Sequence, residues 1–176
     1  MQHLFTPWRL AYIRKEKKPV DGCVFCHKRH TASDAQDYIV ARSDHVYVIM
    51  NIYPYNSGHV MVVPYEHLHS QEQMSPEALM DLMLTVNRTL AVIRHAYRPA
   101  GFNLGVNLGE AAGAGIAAHY HFHIVPRWGG DANFMTVVGT TRVIPGTLDS
   151  IYADLIGAWQ ELYGESTDGP RSGGGL

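Results

Sequence analysis

Short runs of β-branched and aromatic residues mark strands along this chain, and two longer runs repeat their apolar residues every three or four positions. Tyr38-Ile39-Val40-Ala41 and Val46-Tyr47-Val48-Ile49-Met50, split by Ser43-Asp44, predict a hairpin of two strands. His59-Val60-Met61-Val62-Val63-Pro64 predicts a third strand, mostly apolar and so central, stopped by its proline. Phe102 to Leu108 alternates again. So does His119-Tyr120-His121-Phe122-His123-Ile124-Val125-Pro126-Arg127, where the period of two puts three imidazoles on one face and Tyr120, Phe122 and Ile124 on the other. On a helix the same spacing would scatter the three rings and leave no apolar stripe.

The longer periods predict helices. Ser75 caps the first, with Pro76 just inside, and Leu79, Leu82, Met83, Val86, Leu90, Ile93 and Tyr97 form its core stripe until Pro99. The second runs from Thr147 to about Tyr163 and buries Ile151, Tyr152, Leu155, Trp159 and Leu162. Between elements, His27 to Asp37 reads as a polar loop, and Pro54, Asn56, Ser57 and Gly58 form another. A further apolar segment runs from Phe134 to Val138.

Composition narrows the function classes. A chain of 176 residues with 46% hydrophobic content supports one domain with a sizeable core. Residues 21–163 are assigned to it. Residues 1–20 form an irregular arm whose apolar members pack on the domain or on a second subunit, and the glycine- and serine-rich residues 164–176 form a disordered tail. Net charge is −2, and no basic run appears beyond Arg14-Lys15-Glu16-Lys17-Lys18, so a polynucleotide partner is not expected; a small nucleotide remains open. No signal peptide or run of 18 apolar residues is seen, which predicts a cytoplasmic protein without a membrane partner.

Three of the 11 histidines fall within five residues. Rings abreast on a strand suit metal binding, nucleophilic attack on phosphorus or carbonyl carbon, or a solvated polar face, and this concentration favours chemistry. Gly109 to Gly115, just before that strand, is glycine-rich, so its backbone amides can approach an anion closely. Cys23 and Cys26 are the only cysteines. Their spacing lets two thiolates bind one tetrahedral zinc, with His67 and His119 as candidate partners because neighbouring strand ends can bring both to one point. Haem attachment at Cys23-Val24-Phe25-Cys26-His27 would require export. A thioredoxin-like dithiol would follow a strand, and no strand residues precede Cys23. Two ordinary buried thiols are the remaining reading.

The block from His119 to Val125 resembles the signature of the histidine triad (HIT) superfamily, and Gly58 to Pro64 resembles its second block. The likeness covers roughly Cys23 to Trp128. Asn51 to Pro64, Ala112 to Ile116 and Pro126 to Phe134 resemble, more narrowly, a bacterial branch containing diadenosine polyphosphate phosphorylases. The resemblance implies an α+β fold: a single HIT-like domain with an antiparallel sheet of about five strands, one long helix and a C-terminal helix, assembled as a homodimer or homotetramer. It also implies cleavage of dinucleoside polyphosphates of the diadenosine tetraphosphate type through a covalent nucleotidyl-histidine intermediate. Inorganic phosphate is favoured over water as the acceptor.

By that resemblance His121 is the nucleophile, His123 contacts phosphate oxygens, and His119 orients His121 while ligating a structural Zn2+ with Cys23, Cys26 and His67. Asn51 matches a ribose-binding position and His59 a residue lining the nucleotide pocket; Asn107 and the amides of Gly113, Ala114 and Gly115 offer donors to the phosphates. Many members carry Gln followed by Ser or Thr where this chain has Ala114 and Gly115. A hydroxyl contact is thereby lost, which argues against the alternative of a purine nucleoside phosphoramidate hydrolase. A non-catalytic nucleotide-binding scaffold and an enzyme using the three histidines as metal ligands are the other classes.

Overall fold

The computed structural model describes residues 22–131 and 146–164. The arm at 1–20, the segment from Phe134 to Val138 and the tail beyond Gly164 lie outside the described residues. Five strands, β1 (Ile39–Arg42), β2 (Val46–Met50), β3 (Val60–Pro64), β4 (Gly101–Gly105) and β5 (Phe122–Arg127), form one antiparallel sheet in the order β1-β2-β3-β5-β4. The apolar β3 is the central strand, as its lack of polar positions predicts. Helices α1 (Val24–Arg29), α2 (Asp34–Asp37), α3 (Pro76–Tyr97) and α4 (Leu148–Tyr163), with single 3-10 turns at Gln71–Gln73 and Glu110–Ala112, complete the described fold. The arrangement is the expected α+β architecture, an open antiparallel sheet with one long helix and a C-terminal helix. None of these helices is long and apolar enough to cross a membrane.

Both faces of the sheet are covered. Val46, Val48 and Met50 of β2 and Val60 and Val62 of β3 point to one side, where they meet Leu82, Val86 and Ile93 of α3 and Ile151, Leu155 and Trp159 of α4. Tyr47, Ile49, Met61 and Val63 point to the other, where Phe25 of α1 closes over them. The stretch from His27 to Asp37, read as a polar loop, instead holds the second half of α1 and all of α2. A six-residue helix has no room to display a 3.6-residue period.

The helix boundaries follow their caps. The Ser75 hydroxyl accepts the amide of Ala78 with Pro76 in the first turn, and Thr147 forms a reciprocal capping box with Ser150. Two expected core residues face solvent: Met83 is 46% exposed and Leu162 41%. In α3 the buried stripe turns to take in Thr85 and Thr89. Thr89 is tolerated there because its hydroxyl donates to the Thr85 carbonyl at 2.7 Å, and Met83 is carried past the edge.

The histidine strand is shorter than its pattern. Its ladder begins at Phe122, opposite Val62, and His119 to His121 run on unpaired with β3. Continued pairing would set Tyr120 opposite Pro64, which has no amide to give. Instead the Tyr120 amide donates to the Leu68 carbonyl, and the Pro64 carbonyl accepts from the His119 ring at 2.9 Å. β4 likewise stops at Gly105 instead of reaching Leu108.

Candidate active site and metal centre

The alternation expected along residues 119–124 persists although the ladder does not reach His119. Tyr120 and Ile124 join the core under α3 and α4, while His119 and His121 make ring contacts with Phe25 on the opposite face. The rings of His121 and His123 stand edge to face, 4.8 Å apart.

Hydrogen bonds to groups of fixed character assign each ring nitrogen. His121 Nδ1 lies 2.8 Å from the backbone carbonyl oxygen of His119. A carbonyl only accepts, so Nδ1 carries the proton and Nε2 carries the lone pair. His119 Nε2 donates to the Pro64 carbonyl, which leaves its Nδ1 as the free base. His59 Nδ1 accepts the Tyr55 backbone amide at 3.0 Å, so its Nε2 holds the proton and donates to His123 Nδ1, also at 3.0 Å. By the same logic His123 presents Nε2–H.

Burial favours the neutral form of His59, His119 and His121. His59 is 1% exposed, and desolvation, reinforced by His123 and His121, lowers its pKa from 6.5 to about 3. Burial also lowers the pKa of His121, against the opposing pull of its bond to the His119 carbonyl. The result is a neutral imidazole, lone pair on Nε2, beside a second ring that offers a proton donor. This pairing suits nucleophilic attack at a centre whose oxygens gain charge.

The second constellation lies next to the first. Cys23 caps the N-terminus of α1 and Cys26 lies in its first turn. Cys23 Sγ is 3.3 Å from His119 Nδ1, and Cys26 Sγ is 3.2 Å from His67 Nδ1 and 3.6 Å from His119 Nδ1. The four ligand atoms all lie within 4.8 Å of one another. Tetrahedral bonds of about 2.0–2.3 Å to nitrogen and sulfur set neighbouring ligands about 3.3–3.8 Å apart, so the closest of these separations already match a zinc site. The donors are correctly poised as well: His119 turns its unprotonated nitrogen inward, its other nitrogen oriented by the Pro64 carbonyl. Burial and the neighbouring Cys23 raise the Cys26 pKa, a penalty that a divalent cation would relieve.

Asn51 and His59 are drawn together. Asn51 Nδ2 lies 3.4 Å from His59 Nδ1, and Asn51 Oδ1 accepts the Tyr53 amide, the local turn that asparagine favours. Asn107 and Gly113 to Gly115 belong to the connection between β4 and β5. Because Gly105 pairs with His123, that connection leaves the sheet at the level of the histidines. Within it, Gly113 adopts φ +87°, its amide donates to Glu110, and the Ala114 amide donates to Gly109. A phosphate at either amide would have to displace these bonds.

Two residues of this region have no counterpart in the motif reading. Tyr55 stacks on His59 with centroids 4.8 Å apart, and Phe25 contacts both His119 and His121. The only sequence signal for Phe25 is its place between the two cysteines.

Comparison with known proteins agrees with this geometry. The HIT domain model matches residues 32–130. A Mycobacterium tuberculosis protein named AP-4-A phosphorylase is 39% identical over 165 residues, covering 90% of this chain and 85% of its own length. The Bacillus subtilis protein named Protein hit is 31% identical over 117 residues, 66% of this chain and 79% of its own. Among solved structures, a zinc-bound histidine triad family protein from Mycobacterium smegmatis superposes with a TM-score of 0.65 at 26% identity, covering 80% of this chain and 95% of that one. The stretch the family model covers is the one that builds the sheet and its row of histidines, and the chain belongs to the HIT domain family.

Proposed function

We infer that this enzyme cleaves dinucleoside polyphosphates of the diadenosine tetraphosphate type by nucleotidyl transfer through His121, with inorganic phosphate as the acceptor. What carries the covalent step is the His121 tautomer: Nδ1–H held by the His119 carbonyl at 2.8 Å and the lone pair on Nε2. The substrate class is supported by the 39% identity to the relative named AP-4-A phosphorylase. In the first step Nε2 attacks the α-phosphorus; an N–P bond forms, the P–O bond to the leaving nucleoside polyphosphate breaks, and that oxygen departs with the bonding pair. His123 donates Nε2–H to phosphate oxygen, its tautomer imposed by His59. Asn51 serves the ribose and the loop at Asn107 and Gly113 to Gly115 the phosphates, the Gly113 and Ala114 amides exchanging their bonds to Glu110 and Gly109 for phosphate oxygen. In the second step phosphate oxygen attacks the same phosphorus, the P–N bond breaks and a nucleoside diphosphate leaves.

Cys23, Cys26, His67 and His119 would hold one zinc ion. It would supply cross-linking of α1 to the histidine strand, since His119 Nδ1 faces the cysteines and not the substrate side of His121.

The test is mass spectrometry of the acid-labile adduct formed with diadenosine tetraphosphate. The expected result is an adenylyl group on His121 that inorganic phosphate discharges as ADP, and loss of both adduct and turnover in His121→Ala with the fold intact. Discharge as AMP by water alone overturns the phosphate acceptor, and turnover retained by His121→Ala overturns the nucleophile.

A further inference from the structure

Among the described residues a single hydrogen bond, to the His119 carbonyl, fixes the His121 ring, and one bond is a weak constraint. Rotation about the last side-chain torsion of histidine is broad and roughly two-fold, so a half-turn would replace Nδ1 by a carbon at the His119 carbonyl and turn the lone pair away from the substrate. A net hydrogen bond of about 1 kcal/mol does not forbid this. Packing has to, and two rings pack on His121: His123 at 4.8 Å and Phe25 at 5.2 Å.

Phe25 is unusually well placed to hold a neighbour still. It is 4% exposed, and its backbone carbonyl accepts the hydroxyl of the fully buried Tyr47 at 2.9 Å. Cys23 and Cys26 flank it within one turn, both against His119 Nδ1, so its backbone cannot shift without moving two sulfurs. Its ring also meets the His119 ring at 5.4 Å with a 67° interplanar angle. It therefore contacts both the nucleophile and the residue whose carbonyl orients the nucleophile.

We propose that Phe25 is a positioning residue of the nucleotidyl-transfer reaction: anchored between the two cysteines, its ring holds the His121 imidazole in the orientation that keeps Nδ1 on the His119 carbonyl and Nε2 toward the phosphorus. The proposal rests on His121 as nucleophile. It links α1 to the chemistry by packing, through a side chain that itself touches no reacting atom.

The experiment compares wild type, Phe25→Ala and Phe25→Leu, each purified with zinc and assayed for metal content. Nitrogen-15 NMR of labelled histidine reads the His121 tautomer without turnover, and rapid-quench kinetics reads adduct formation from diadenosine tetraphosphate. In Phe25→Ala, with metal retained, the His121 signals become a mixture of tautomers. Adduct formation slows on the order of 100-fold, the loss expected from a misplaced reacting group, while KM stays unchanged. Phe25→Leu, which restores apolar bulk, recovers most of the rate and the wild-type tautomer.

A variant that loses its zinc overturns the proposal in favour of a purely structural role for Phe25. An effect confined to KM places Phe25 against the substrate instead. An unchanged tautomer in metal-loaded Phe25→Ala also overturns it. A tautomer change with no effect on rate leaves the positioning intact and refutes His121 as the nucleophile, so the two failures are distinguishable.

Discussion

Acidification is expected to destabilise this protein through His59, a residue that is buried, neutral and fully engaged. Its Nδ1 accepts the Tyr55 amide and its Nε2 donates to His123, so no nitrogen is left to take a proton without breaking a bond. Burial, with His123 and His121 nearby, holds its pKa at about 3 in the folded chain, against about 6.5 for an ordinary imidazole. Between these values the unfolded chain binds the proton and the folded chain does not. Stability is therefore complete above pH 6.5 and falls as the pH drops towards 3. At pH 5, about 1.5 pH units below the ordinary imidazole value, this one residue removes about 2 kcal/mol.

The assay is urea denaturation followed by tryptophan fluorescence at pH 7, 6 and 5, for wild type and His59→Gln. The glutamine amide reaches the Nε2 position and donates to His123 but cannot be protonated. Wild type should lose about 2 kcal/mol more than the variant between pH 7 and pH 5. Groups that do not interact with His59 contribute alike to both proteins and cancel in the comparison. Parallel curves would refute the burial argument, because they would mean that His59 takes up its proton as readily folded as unfolded.

The helix that carries the cysteines is anchored by Arg42, whose guanidinium grips Asp34 at 2.7–3.1 Å and donates to the Arg29 carbonyl at 3.1 Å. Both side chains of that ion pair are over 90% buried, at 8% and 9% exposure, so Arg42→Ala strands the Asp34 carboxylate and should cost about 3 kcal/mol in chemical denaturation. At the proposed zinc site, Cys26→Ser should bring metal content well below that of the wild type by atomic emission. The melting temperature should fall by about 10 °C, the shift that ~3 kcal/mol produces at this size. Brief chelator treatment of the wild type should spare turnover, because the covalent catalysis proposed for His121 requires no metal at the phosphorus; immediate loss would favour a metal-dependent reaction.

Much of this architecture was legible in the chain, for local reasons. Alternation of side chains is a property of extended backbone itself. The row His119, His121, His123 therefore keeps one face, although Pro64 ends the ladder before it reaches His119. Ser75 and Thr147 announce helix starts because a cap bonds only to amides two or three residues away. Cys23 and Cys26 announce a candidate ligand pair because a separation of three positions keeps two sulfurs close to one point.

What depended on distant chain was not legible. Met83 and Leu162 have the right period yet face solvent, because the edge of a buried stripe is drawn by the element packed against it. Phe25 looks like any apolar residue until α1 lowers it onto His119 and His121, 94 and 96 positions along. The proton on each imidazole is the clearest case. Pro64 lends His119 a carbonyl from 55 residues away, and His59 reaches His123 across 64. An isolated histidine holds its proton on either nitrogen with little preference; only the folded chain, by placing a carbonyl at one nitrogen, decides which one keeps the lone pair.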